Sequence, residues 1–318
     1  MPDLSFASIL GHERPLKVLR RALATGRVPH AYLFWGPDGV GKETVAAAWA
    51  QVLLCADPEA VGRAEACGRC GPCRKAAAGS HADLHRVVPG GTSIPIAEVR
   101  ALQEALAYRS FERGRKVAII RDAFRMTREA SNALLKTLEE PPPGTHIVLL
   151  AHHRNQLLPT LVSRCQSLRF DPIPEEDVRR LLEAGGTAAQ AAQAMARSAG
   201  GCPGAVWGRE PEAFEAVEEE AREVWTDWER APASERFARA ARWAADRGEL
   251  GRRLDALEDL LAARLREGAR AGRVDGSAAA ALDGLARVRH LVDRNVNVEL
   301  ALDAYFLGAL DAPWEEAL

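Results

Sequence analysis

Through the first half of the chain, short apolar runs alternate with stretches whose apolar residues recur every three or four positions. Beyond that only helical spacing remains. The runs predict five strands, Ala31–Trp35, Leu84–Val88, Lys116–Arg121, His146–Ala151 and Gln166–Phe170, most of them bounded by Gly, Pro, Asp or charged residues. Strands alternating with helices predict a parallel sheet flanked by helices. From Thr127 to Glu140, Ala130, Ala133, Leu134 and Leu138 fall at helical spacing. Thr127 can cap this helix, and Pro141, Pro142 and Pro143 forbid its continuation. Asp171-Pro172-Ile173-Pro174 then breaks the pattern, and no later run reads as a strand. Pro211 to Glu229 carries Phe214, Val217, Ala221, Val224, Trp225 and Trp228 on one stripe. Glu215, Glu218, Glu219 and Glu220 occupy its remaining faces, which predicts a solvated acidic side. Leu254, Leu257, Leu261 and Leu265 repeat the pattern in Leu250 to Gly268, and Val288, Leu291 and Val292 begin another apolar face.

A length of 318 residues, 47% apolar and 27% charged, predicts two or three domains. With 42 basic and 44 acidic residues the net charge is -2, so no whole-molecule field draws the chain to DNA or to an acidic membrane. Any nucleic-acid contact is local or belongs to partners. Of the basic residues five are lysine and 37 arginine, a bias better matched to GC-rich coding or heat adaptation than to a site. No apolar run approaches the roughly 18 residues that span a bilayer, and Met1 to Leu10 lacks the order of a secretory signal. These features predict a cytoplasmic protein.

Directly after the first strand comes Gly36-Pro37-Asp38-Gly39-Val40-Gly41-Lys42-Glu43-Thr44, followed by a helix-compatible run from Val45 to Leu54. This is the placement of a phosphate-binding loop. Gly36, Gly39 and Gly41 let backbone N–H groups converge on phosphate oxygens, and Lys42 supplies a point charge. Glu43 stands where a Ser or Thr hydroxyl would bind Mg²⁺, and Thr44 comes one residue late. The third strand should end in two acids that hold the metal shell and polarise water, yet it ends Arg121-Asp122. The loop therefore keeps a shape that can bind ATP or ADP weakly, without the means to hydrolyse it.

Cys55 is followed by Cys67, Cys70 and Cys73, two successive Cys-x-x-Cys steps with Gly68, Gly71 and Pro72 between them. In a reducing compartment this spacing suits one tetrahedral Zn²⁺, and four sulfurs make the site structural. A redox Cys-x-x-Cys is the competing reading. Cys165 and Cys202 stand alone.

Six strings together carry a resemblance: His30-Ala-Tyr-Leu-Phe34 leading into Gly36-Pro37, the four-cysteine insert, Asn132-Ala-Leu-Leu-Lys136-Thr-Leu-Glu-Glu-Pro-Pro142, Leu158-Pro-Thr-Leu-Val-Ser163-Arg164-Cys165, Gly200-Gly201-Cys202-Pro203-Gly204 and Asn295-Val-Asn297-Val-Glu-Leu300. They resemble the delta-prime subunits of bacterial DNA polymerase III clamp loaders, within the AAA+ superfamily. The resemblance implies an α/β AAA+ domain over residues 1–170 with a zinc-binding insert at 55–73, an all-α lid at 171–207 and an all-α collar at 208–318. It implies a stator in a hetero-pentameric ring with delta and gamma or tau subunits, which places the sliding clamp on primed DNA. It further implies that Arg164 reaches a neighbour's ATP site as a trans-acting arginine finger.

The motor subunits of that superfamily carry Thr after the loop lysine, Asp-Glu at the third strand end and an Arg in the lid. This chain has Glu43, Arg121-Asp122 and no Arg from Gly200 to Val206. It is thus expected to have negligible ATPase and no polymerase activity of its own. His152 and His153 follow the fourth strand where a polar sensor is expected, and read as surface or core residues rather than ligands. An active AAA+ ATPase, either a motor subunit or a helicase loader, is the rival. A DNA-binding zinc module is a third and weaker reading, because the cluster has only Arg69, Arg74 and Lys75 as basic neighbours and no aromatic surface.

Overall fold

The computed structural model describes residues 5–308 apart from 113, 229, 274, 294 and 295, so Asn295 of the last string lies outside the described residues. The chain divides into two compact units, Met1–Trp207 and Gly208–Leu318.

In the first unit the order is α1 (Glu13–Ala24), β1 (Ala31–Trp35), α2 (Lys42–Leu54), α3 (Pro58–Gly62), α4 (Gly71–Ala77), β2 (Leu84–Val87), α5 (Ile96–Ala107), β3 (Lys116–Ile120), α6 (Arg128–Glu139), β4 (Thr145–Ala151), α7 (Pro159–Val162), β5 (Gln166–Arg169), α8 (Glu175–Ala184) and α9 (Ala189–Ser198). All five expected strands form, in the spatial order β2-β3-β4-β1-β5, and every neighbouring pair is parallel. The register sets Leu33 opposite Leu149 and Ser167, and Ile119 opposite Val148. Parallel neighbours require crossovers, and the helices that make them cover the sheet on both faces.

The two-residue period of the strands sorts their side chains into two cores. Tyr32, Phe34, Val117, Ile119, Val148 and Leu150 pack with Leu16 and Leu19 of α1 and with Trp49 and Leu53 of α2. Leu33, Ala118, Ile120, Ile147 and Leu149 pack with Leu102 and Leu106 of α5 and with Leu134 and Leu138 of α6. The expected cap of α6 forms, Thr127 accepting the Ala130 N–H at 3.2 Å. Each such large apolar side chain contributes about 1.5–3 kcal/mol by leaving water, which is what holds the strand ends at fixed positions.

The second unit consists, among its described residues, of α10 (Pro211–Thr226), α11 (Ala233–Ala245), α12 (Arg247–Arg270), α13 (Gly276–Asp293) and α14 (Val298–Phe306). Phe214, Ala221 and Val224 of the predicted stripe are buried, as are Leu254, Leu257 and Leu261 of the next. Glu215 and Glu219 are exposed as expected, whereas Glu218 and Glu220 are half-buried. Glu220 accepts the indole N–H of fully buried Trp243 at 2.8 Å and Arg253 Nε at 2.9 Å. A buried indole needs an acceptor, and Glu220 is the group within reach. No helix among the described residues is long and apolar enough to cross a membrane.

Candidate functional site

Parallel strands finish on one edge of their sheet, so the segments after β1, β3 and β4 converge there. The phosphate loop leaves β1 between β4 and β5. Gly36 donates its N–H to Ala151 O at 3.3 Å, and a Cβ on it would lie 2.1 Å from Phe170 O, so only glycine passes. Gly39, at φ +69°, accepts the Gly204 N–H at 2.8 Å. A Cβ on Gly204 would lie 2.6 Å from Gly39 Cα, so the turn at 203–205 rests on the loop through two bare backbones. His12 Nε2 meets Val40 O at 2.8 Å, and Gly41 opens α2.

Lys42 is buried and donates Nζ to Gly36 O at 2.7 Å and to Pro37 O at 2.5 Å. Burial pushes its ammonium below the usual lysine range, against the pull of Asp38, Cys202 and Asp122. Thr44 is exposed on the first turn of α2, as is Glu43.

At the end of β3, Arg121 stands between two carboxylates, NH1 3.6 Å from Glu43 Oε2 and Nε 3.8 Å from Asp122 Oδ2. The other oxygen of Asp122 lies 3.7 Å from His152 Nε2, which is also 3.9 Å from Asp38 Oδ1. Asp122 itself takes a left-handed backbone, φ 48° and ψ 48°, a conformation Asp tolerates better than most residues. One guanidinium thus stands between Glu43, at the position of the hydroxyl expected after the loop lysine, and Asp122, the acid at the end of β3. His152 is half-buried against Phe124 with its Nε2 toward Asp122 and Asp38, while His153 is exposed, placements consistent with surface or core residues. The position of His152 at the end of β4 is the sequence signal, but only the strand order puts β4 between β3 and β1.

The four cysteines come together. Cys55 closes α2, Cys70 caps α4, and the four Sγ atoms lie within 4.8 Å of one another, Cys67 and Cys73 at 4.0 Å. Zinc–sulfur bonds of about 2.3 Å in a tetrahedron put sulfurs about 3.8 Å apart, so the donor set fits one Zn²⁺ after a small contraction. Backbone N–H groups of Ala56, Asp57, Cys67, Cys70 and Cys73 each point at a cysteine sulfur at 3.4 Å, the arrangement that favours thiolates. Burial works against ionisation of Cys67, but N–H groups of Cys70 and Arg69 and the neighbouring thiols hold it down to about 7. Burial pushes Cys55 and Cys73 up. Bound Zn²⁺ would supply the charge that ionises them and would cross-link α2 to α4.

Arg164 follows α7, just before the edge strand β5. Its NH1 donates to Thr160 O at 3.0 Å and its NH2 pairs with Glu139, the last residue of α6. Cys165 beside it is buried, and that burial pushes its thiol up to about 12. Glu139 lies in the Asn132–Pro142 string, but nothing in the sequence links it to Arg164, 25 residues on.

Residues 11–174 match the family described as DNA polymerase III, delta subunit. DNA polymerase III subunit delta' of Bacillus subtilis (strain 168) is 40% identical over 171 residues, 54% of this chain and 51% of that protein. The delta' subunit of Pseudomonas aeruginosa is 44% identical over 138 residues, 43% of this chain and 41% of its own. DNA polymerase III subunit tau of Escherichia coli (strain K12) is 36% identical over 180 residues, 56% of this chain and 27% of that protein. The chain thus spans about half the length, or less, of the curated relatives it matches.

Proposed function

The chain belongs to the delta-prime family of DNA polymerase III clamp-loader subunits, and from this premise we propose that it is a non-hydrolysing stator. It completes a hetero-pentameric ring with delta and gamma or tau subunits that loads the sliding clamp onto primed DNA in the cytoplasm. The observation that carries the reading is the position of Arg121 between Glu43 and Asp122. The guanidinium occupies the space between the two carboxylates and offsets one of their two charges, so Mg²⁺ would have to displace it, and both acids already face a cation instead of an attacking water. Lys42 bound to the carbonyls of its own loop, and Gly204 seated on Gly39, support the same view. Nucleotide entry requires both contacts to open, so occupancy by ATP or ADP is weak and unproductive.

Arg164 is the residue through which the stator acts on a neighbour. It sits at the sheet edge, and Glu139 and the end of α7 hold its guanidinium, which can then stabilise charge on a phosphoryl group across a subunit interface. Zinc on Cys55, Cys67, Cys70 and Cys73 is structural, residues 171–207 act as the lid and residues 208–318 as the collar that joins the ring. Similarity to tau favours a second reading, an active motor subunit. Two measurements separate them. The stator gives no ATP turnover alone or after Lys42→Ala, and light scattering of its mixture with delta and gamma or tau yields one five-subunit species. Turnover at ordinary AAA+ rates that Lys42→Ala abolishes, or failure to enter such a complex, refutes the proposal.

A further inference from the structure

The segment between α5 and β3 carries Tyr108 and Phe111, at 72% and 78% exposure the two most exposed large hydrophobic residues among those described. Two buried charges fix its backbone. Asp83, 2% exposed, accepts the N–H groups of Phe111 and Glu112 at 2.9 Å each and the Ser110 hydroxyl at 3.0 Å. Lys116, 4% exposed, donates Nζ to the carbonyls of Leu106 and Tyr108, the latter at 2.8 Å. Burying a carboxylate and an ammonium costs stability unless hydrogen bonds compensate, and among the described residues the bonds of these two side chains go to residues 106–112. Rings that merely occupied surface would not need so fixed a backbone. Rings that meet a partner gain from it, because the entropy of ordering is already spent before contact.

The surroundings indicate the partner. Glu112 pairs with Lys75 of α4 at 2.6 Å, which ties this loop to the helix of the cysteine cluster. Arg74 and Arg109 are exposed and Arg115 half-buried, and none of the three pairs with a carboxylate among the described residues. Glu112 is thus matched and buried Asp83 is held by the loop's own donors, which leaves three guanidiniums without an ion pair against the exposed Glu104 of α5. Arg109 lies between the two rings in sequence, and the Glu112–Lys75 pair brings Arg74's helix to the loop. Guanidinium groups and open aromatic rings on one segment suit phosphates and unpaired bases together, whereas a duplex hides its base faces. The cysteine cluster's lack of an aromatic surface, which weakened the nucleic-acid reading of the sequence, is made good by a loop that the fold brings to α4.

We infer that the Tyr108–Phe111 loop, with Arg74, Arg109 and Arg115, docks single-stranded DNA, bases stacking on the two rings and phosphates meeting the arginines. This gives the chain a direct DNA contact of its own, beyond the stator reading and independent of it. The full-length chain alone, titrated against a fluorescein-labelled oligodeoxythymidylate of about 20 nucleotides, tests it by fluorescence anisotropy. Binding is expected at about 50 mM salt and should weaken as salt rises. Phe111→Ala and Tyr108→Ala should each weaken it roughly 5- to 150-fold, the range that loss of one base–aromatic stack gives. Phe111→Tyr should retain affinity and Phe111→Leu should lose it, since leucine is apolar but has no π face. Both rings are exposed, so unchanged melting temperatures confirm folded variants. Absence of binding, equal binding by the alanine variants, or ring-dependent binding of a blunt duplex overturns the inference. So does a result in which the rings affect only complex formation with delta and gamma or tau, which makes the loop a protein contact.

Discussion

Replacing Arg164 separates a trans-acting role from a structural one because its local contacts are weak. Its ion pair with Glu139 is open to water, the two side chains 36% and 50% exposed, and such pairs contribute about 0.2–1 kcal/mol. The bond to Thr160 O lies on the same exposed surface. Arg164→Ala should therefore lower the melting temperature by no more than about 4 °C, since 1 kcal/mol corresponds to roughly 2–4 °C in a unit of this size. A guanidinium that stabilises phosphoryl transfer across an interface is worth about 10³ to 10⁵ in rate at the site it serves. The assay is DNA-stimulated ATP hydrolysis and clamp loading by the reconstituted complex, with melting and zinc content measured on the same preparation. Arg164→Ala should depress both rates while complex mass and zinc stay as they were and melting falls by no more than those few degrees. Arg164→Lys should rescue little, since a point charge lacks the planar fork. Glu139→Gln, which leaves the guanidinium in place but loosens its hold, should give an intermediate rate. Full clamp loading by both Arg164 variants would refute the finger and leave a scaffold only.

The cysteine geometry predicts one Zn²⁺ per chain purified without chelator, and its loss in Cys73→Ser, whose sulfur is fully buried among the other three. Elemental analysis decides this, and much less than one zinc, or disulfides among the four in unoxidised protein, contradicts it. Gly204→Ala would set a Cβ 2.6 Å from Gly39 Cα, backbone against backbone, and should cost about 1–3 kcal/mol by overpacking. A thermal melt unchanged by this substitution would show that the turn at 203–205 does not rest on the loop.

The strands and helices of the first unit were legible in the sequence because what specifies them is local. Five apolar runs became five strands within a residue of their expected ends, and Thr127 and the three prolines bounded α6 as their chemistry requires. The phosphate loop and the cysteine group were legible for the same reason, since glycine spacing and Cys-x-x-Cys steps act over a few residues. Glu220 was not, because its position outside the apolar stripe of α10 says nothing about an indole arriving from α11.

Pairings between distant segments depend on the strand order β2-β3-β4-β1-β5, which no local pattern encodes. That order sets Arg121 against Glu43, and His152 against Asp38 and Asp122. Tertiary packing likewise brings Glu139 to Arg164, and Asp83 under the loop that carries Phe111. Periodicity and spacing therefore determined which elements form and which residues could bind phosphate or metal. The tertiary structure decided which charges meet, because the energy of a charge pair depends on separation in space, and folding sets that separation through the burial of apolar side chains elsewhere.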